Sequence, residues 1–76
     1  MKLHELKARQ KARIRSIATG SEQMDIKLRE VGFSEGDEVE MVGAGPLGGR
    51  TLAVRLNRSL IALRTSEAEL VEVDPA

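Results

Sequence analysis

The chain has 76 residues, which bounds it to one domain, residues 1–76, with a modest core. It contains no cysteine and one aromatic residue, Phe33; this excludes disulfides, thiolate metal ligands and cysteine nucleophiles, and it requires an aliphatic core. Twelve basic and twelve acidic side chains cancel, without the basic excess of a dedicated nucleic-acid binder, and no apolar run is long enough to insert into a membrane.

From the N-terminus, Met1 to Leu6 is too polar for the core of a signal peptide, so a cytoplasmic protein is expected. Leu3 and Leu6 form an apolar lead-in. The segment from Lys7 to Ile17 then alternates, with Lys7, Arg9, Lys11, Arg13 and Arg15 on odd positions and small or apolar residues between them. Period two predicts a strand with one basic face, clearest over Lys11 to Ala18. Ser21 reads as a helix N-cap with Glu22 in the first turn. Met24, Leu28 and Val31 make one apolar stripe on a short helix, and Gly32 stands where a left-handed residue ends it. Phe33 is expected to fold back on that stripe.

Ser34 to Asp37 reads as a turn. Glu38 to Val42 is the next strand, with Val39 and Met41 inward, and the glycine-rich run 43–49 is a hairpin loop. Leu52, Val54 and Leu56 mark the inward face of the strand that follows. Asn57-Arg58-Ser59 is a tight turn, and Leu60 to Arg64 is a further strand with Ile61 and Leu63 inward. Ser66 and Glu69 have capping-box spacing, enough for one helical turn. Leu70 to Val73 is the last strand, and 74–76 is a tail. Five short strands with one helix and one helical turn predict a mainly β fold, a small barrel that buries one face of each strand.

The charge is unevenly placed. Residues 1–31 hold eight basic and four acidic side chains, and 32–76 hold four and eight, so folding either sets up two poles or interleaves them. The chemistry on offer is sparse. The lone histidine, His4, has no acid, nucleophile or second histidine near it in sequence and reads as a surface residue. No serine or threonine has a histidine placed to activate it, so an enzyme is not expected. Asp37, Glu38 and Glu40 are close in sequence but do not share one face, and a ferrous site wants imidazole and carboxylate ligands converging in a pocket. The expectation is therefore no metal site and no cofactor. The glycine run lacks the Lys-Ser/Thr and the following helix of a phosphate-binding loop.

Three segments, in order, carry a resemblance: Leu28-x-x-x-Gly32-Phe33-x-x-Gly36, Ala44-Gly45-Pro46-Leu47-Gly48-Gly49, and Ile61-Ala62-Leu63-Arg64-x-x-Glu67-Ala68. Together they resemble the FeoA family over roughly Leu3 to Val73. Glu35 stands where the family often has proline, Asn57-Arg58-Ser59 where it usually has glycine, and Arg9-Gln10 near where it often has Pro-Gly. The resemblance implies an SH3-like β-barrel related to the C-terminal part of diphtheria-toxin-repressor-type metalloregulators. It implies an accessory protein of bacterial ferrous iron uptake that docks on the cytoplasmic GTP-binding part of a FeoB-type transporter. The alternative is a detached regulatory domain acting on a metal-dependent repressor.

The candidate partner contacts are Leu28, which matches the family's helix leucine, Pro46 and Leu47 at the hairpin tip, and the basic residues Arg9, Lys11, Arg13 and Arg15. The basic strip is either a solvated strand face or a surface for an acidic patch on a protein. Nucleic acid is not the expected partner, because aromatic residues for base stacking are missing. An exposed barrel edge with an outward Leu60 makes a homo-oligomer a further expectation.

Overall fold

The computed structural model describes residues 1–17, 19–45 and 48–76. Ala18 and the hairpin-tip candidates Pro46 and Leu47 lie outside the described residues. A 3₁₀ turn, Leu3–Glu5, leads into β1 (Lys11–Ile17), α1 (Glu22–Glu30), β2 (Glu38–Gly45), β3 (Gly48–Leu56), β4 (Ser59–Arg64), α2 (Thr65–Ala68) and β5 (Val71–Pro75). The strands form one antiparallel sheet in the order β4-β3-β2-β1-β5, curled as an SH3-like barrel. Register shifts in β1 between Ile14 and Ser16, and in β2 between Met41 and Gly43, supply the bends that such curling requires.

Alternation built the core as expected. Ala12, Ile14 and Ile17 of β1, Val39 and Met41 of β2, Val54 and Leu56 of β3, Leu63 of β4 and Val71 and Val73 of β5 all face inward and are buried. Leu52 and Ile61, also expected inward, are half-buried and pack against that core. Leu3 and Leu6 of the lead-in are buried as well, because the 3₁₀ turn presses them onto the barrel. Both chain ends are sewn to the sheet: Val73 N–H donates to the Met1 carbonyl at 2.7 Å and Ala76 N–H to the Lys11 carbonyl at 3.0 Å.

Helix α1 starts where the sequence placed it. The Ser21 hydroxyl accepts the Met24 N–H at 3.3 Å, and Asp25 in the first turn reaches back to Thr19 N–H and Oγ1 at 3.0 and 2.7 Å. The end of α1 uses a left-handed glycine, Gly32, at φ +115°. There Gly32 N–H donates to the Arg29 carbonyl and Phe33 N–H to the Leu28 carbonyl, both at 3.1 Å, which is a Schellman closure. The closure turns Phe33 back under the helix, where it is fully buried with Leu28.

Some element ends fall where the sequence reading put them and others differ, each for a local reason. The strand β1 begins at Lys11 as expected, and the basic alternation before it is not strand, because residues 8 and 9 form a turn in which Arg9 takes φ +69° and gives its N–H to the Met41 carbonyl at 2.6 Å. Strands β2 and β3 run into the glycine segment, to Gly45 and from Gly48, so the loop is shorter than its composition suggested. The turn between β3 and β4 is tight, with Asn57 at φ +57° supplying the conformation that glycine would otherwise provide. The helical turn α2 is capped by Glu67 rather than Glu69: Glu67 Oε1 accepts the Arg64 N–H at 2.9 Å. Finally, β5 extends to Pro75 through its pairing with β1, so only Ala76 is tail.

Candidate functional site

The 3.6-residue repeat of α1 puts Met24, Leu28 and Val31 on one side and Ile26 on the other. Leu28 is buried and Met24 half-buried, but Val31, expected on the core-facing stripe, is not buried. Val31 lies just past the helix end and is 43% exposed. The inward side of α1 lies beside β4, an outermost strand of the sheet, and the seam between them is a groove of about 220 Å³. Leu28 contributes to its floor with only 1% exposure; Leu63 lies beside it, and Val31 and Ala62 form apolar walls. Leu28 is thus a packing residue with almost no surface of its own.

One end of the groove is polar. Lys27 Nζ on α1 donates to Glu67 Oε2 on α2 at 2.8 Å, joining the two helices across the seam. Glu67 is 8% exposed. The bond from Lys27 and the Arg64 N–H together hold its carboxyl below the usual carboxylate range against the opposing effect of burial. Arg64 and Thr51, paired in register between β4 and β3, also line a second depression of about 440 Å³ together with Arg50, Thr65 and Ser66. The Thr65 hydroxyl donates to the Gly49 carbonyl at 2.7 Å and so pins the start of α2 to β3.

The basic strip was expected to run over five residues, and the structure splits it. Lys11, Arg13 and Arg15 share the exposed face of β1, while Lys7 and Arg9 belong to the turn before it. On the sheet, Lys11 lies opposite Glu40, and Arg13 lies opposite Glu38 on one side and Asp74 on the other. Arg15 approaches Asp74 at 3.8 Å, Arg55 of β3 reaches Glu40 at 3.2 Å, and the Arg13 guanidinium donates to the Gly36 carbonyl. The charge of the two chain halves is therefore interleaved and does not separate into poles.

His4 departs from its reading as a surface residue. Its ring is half-buried, and Nδ1 is enclosed with no hydrogen-bond partner. Among the described residues no group of three or more His, Asp or Glu side chains is placed to hold a metal ion. No helix among the described residues is long and apolar enough to cross a membrane. Val31, Ala62 and Thr51 were missed as groove residues, and Arg50 as a residue of the second depression. The one signal for them was indirect: Ala62 is the small residue between two inward-facing aliphatics, on a strand that the topology leaves at the sheet's edge.

The family model for the FeoA domain matches residues 1–75 of this chain. Among solved structures, FeoA from Stenotrophomonas maltophilia is 41% identical with a TM-score of 0.83, covering 97% of this chain and 89% of its own. That protein was solved with zinc and is described as a prokaryotic SH3 domain protein and a candidate activating factor of bacterial ferrous iron transport. FeoA from Chlorobium tepidum is 31% identical with a TM-score of 0.84, covering 99% of this chain and 70% of its own. A manganese-dependent transcriptional repressor superposes with a TM-score of 0.89 over 100% of this chain and 36% of its own; at 14% identity this likeness shows the fold alone. A search of curated proteins found no match.

Proposed function

The chain belongs to the FeoA family of ferrous-iron-transport proteins, and from that premise we propose that it is a cytosolic accessory protein that docks on the cytoplasmic GTP-binding part of a FeoB-type transporter. In this reading the chain regulates by binding and does no chemistry of its own. The observation that carries it is the α1–β4 seam, where Val31 is exposed beside Ala62 over the buried Leu28 and Leu63. An apolar groove beside an outer strand suits a partner's helix or extended segment. Pro46 and Leu47 belong to the same reading as apolar contacts, and Arg9, Lys11, Arg13 and Arg15 as polar ones.

The test is calorimetry between this protein and the transporter's isolated GTP-binding domain, run nucleotide-free, with GDP and with a non-hydrolysable GTP analogue. Val31→Glu and Ala62→Glu place a charge in the groove at positions outside the core, so they are expected to abolish binding while leaving thermal unfolding near wild type. Absence of binding in every nucleotide state sinks the reading. Undiminished binding by both variants removes the groove from it.

A further inference from the structure

We propose that the depression between β3 and the start of α2 is a phosphoryl-binding site, sized for a small organic phosphate. Its lining residues are Arg50 and Arg64 with Thr51, Thr65 and Ser66, so two arginines share one depression and none of the five is acidic. Elsewhere half of the cations are spent on carboxylates: Lys2 approaches Glu72, Arg15 Asp74, Lys27 Glu67, Arg29 Glu35 and Arg55 Glu40. The remaining five are spread over β1, the turn before it and the β3–β4 turn. Neither Arg50 nor Arg64 makes a close ion pair among the described residues, although the charge of Arg64 is felt by Glu67. The nearest acid along the chain, Glu67, already receives the Lys27 ammonium and the Arg64 backbone N–H on its two oxygens.

The donor chemistry favours phosphate over carboxylate. Each guanidinium offers a fork of N–H donors fixed in a plane, and two forks with the Ser66 hydroxyl exceed what two carboxylate oxygens accept. A phosphoryl group has three terminal oxygens and up to two negative charges, which matches that supply. The depression, about 440 Å³, falls in the range of small-molecule sites and is larger than a bare phosphate needs. No aromatic side chain lines it, so a nucleobase would find no stacking partner and recognition would centre on the phosphoryl group. The Thr65 bond to the Gly49 carbonyl holds one wall in place, which is the preorganisation that such a site needs. This inference is independent of docking on a transporter, since it concerns the isolated protein.

The experiment is a ¹H–¹⁵N NMR titration of the full chain with pyrophosphate, glycerol 3-phosphate and, as a carboxylate control, an acetylated diglutamate peptide. Saturable shifts are expected at residues 50, 51 and 64–66 with both phosphates, with the stronger response to glycerol 3-phosphate than to pyrophosphate that an organic ligand requires. Arg50→Gln and Arg64→Gln should each weaken pyrophosphate binding about tenfold, the usual weight of one charge-assisted contact. Arg58→Gln, at the exposed β3–β4 turn, should stay within about twofold. Both site arginines are exposed, so an unchanged spectrum of each free variant confirms its fold. The proposal is overturned by no saturation, by equal response to the diglutamate peptide, or by shifts spread evenly over Lys7, Arg9 and Arg58.

Discussion

Replacing Glu67 tests how α1 and α2 are held together beneath the groove. Its carboxylate does two jobs at once, accepting the Arg64 N–H at 2.9 Å and the Lys27 ammonium at 2.8 Å. The first resembles a helix cap, worth about 1 to 2 kcal/mol, because the N–H at the start of α2 is otherwise an orphan donor. The second is weaker: Lys27 is 60% exposed, so solvent screens the pair to about 0.5 kcal/mol. Glu67→Ala should therefore cost about 2 kcal/mol, lowering the Tm by roughly 8–16 °C for a domain of this size. Glu67→Gln keeps an oxygen for Arg64 and should cost only about 0.5 kcal/mol.

Urea unfolding at pH 7 and at pH 3 separates the two jobs. The Glu67 carboxyl sits below its ordinary value of 4.5 in the folded chain, so its ionised form stabilises the fold fully above that value. As pH falls through the folded-state value that contribution is lost, so wild type and Glu67→Gln should converge in acid while remaining apart at pH 7. Equal losses for Glu67→Ala and Glu67→Gln, or a loss below about 0.5 kcal/mol for the alanine variant, would refute the capping argument.

Three further outcomes follow from the geometry. Glu35 is gripped by both Arg29 nitrogens at 2.8 Å, which lowers its carboxyl to about 2, so ¹³C NMR should show it titrating near there. In Arg29→Gln it should return toward the ordinary value of 4.5. The stabilisation from this pair should be present above pH 4.5 and fade as pH approaches 2. Gly32→Ala forces an L-residue to φ +115° and brings Cβ to 3.4 Å from a Leu56 methyl. It should cost about 1–3 kcal/mol by denaturant midpoint. Leu28→Ala, at a position 1% exposed, should cost about 2–5 kcal/mol, far more than Val31→Ala beside it.

Alternation made the barrel legible in the sequence, because each strand buries one side and two-residue periodicity reports that directly. The ends of α1 were legible too, since Ser21 and Gly32 act through local backbone geometry that a short window contains. What escaped was set by pairing between distant segments. Arg9 continued a basic alternation on paper, yet the bond from its N–H to Met41 commits it to a turn. The β2–β3 glycines looked like loop until their ladder partners were known. The two depressions were illegible for the same reason: Arg50 and Arg64 are fourteen positions apart, and only the β3–β4 register places Thr51 opposite Arg64. The motif that includes Arg64 carried the family resemblance, but not the pocket it helps to line.

The interleaving of charge around β1 bears on how quickly partners arrive. With carboxylates on both flanking strands, the fields of Lys11, Arg13 and Arg15 largely cancel within a few ångströms of the surface, well inside a screening length of about 8 Å at physiological salt. That face offers little electrostatic steering, so an acidic protein approaching it meets no long-range pull and its association rate should be nearly indifferent to ionic strength. A pronounced salt dependence in any binding rate would therefore implicate another part of the surface, with Arg50 and Arg64 the first place to look.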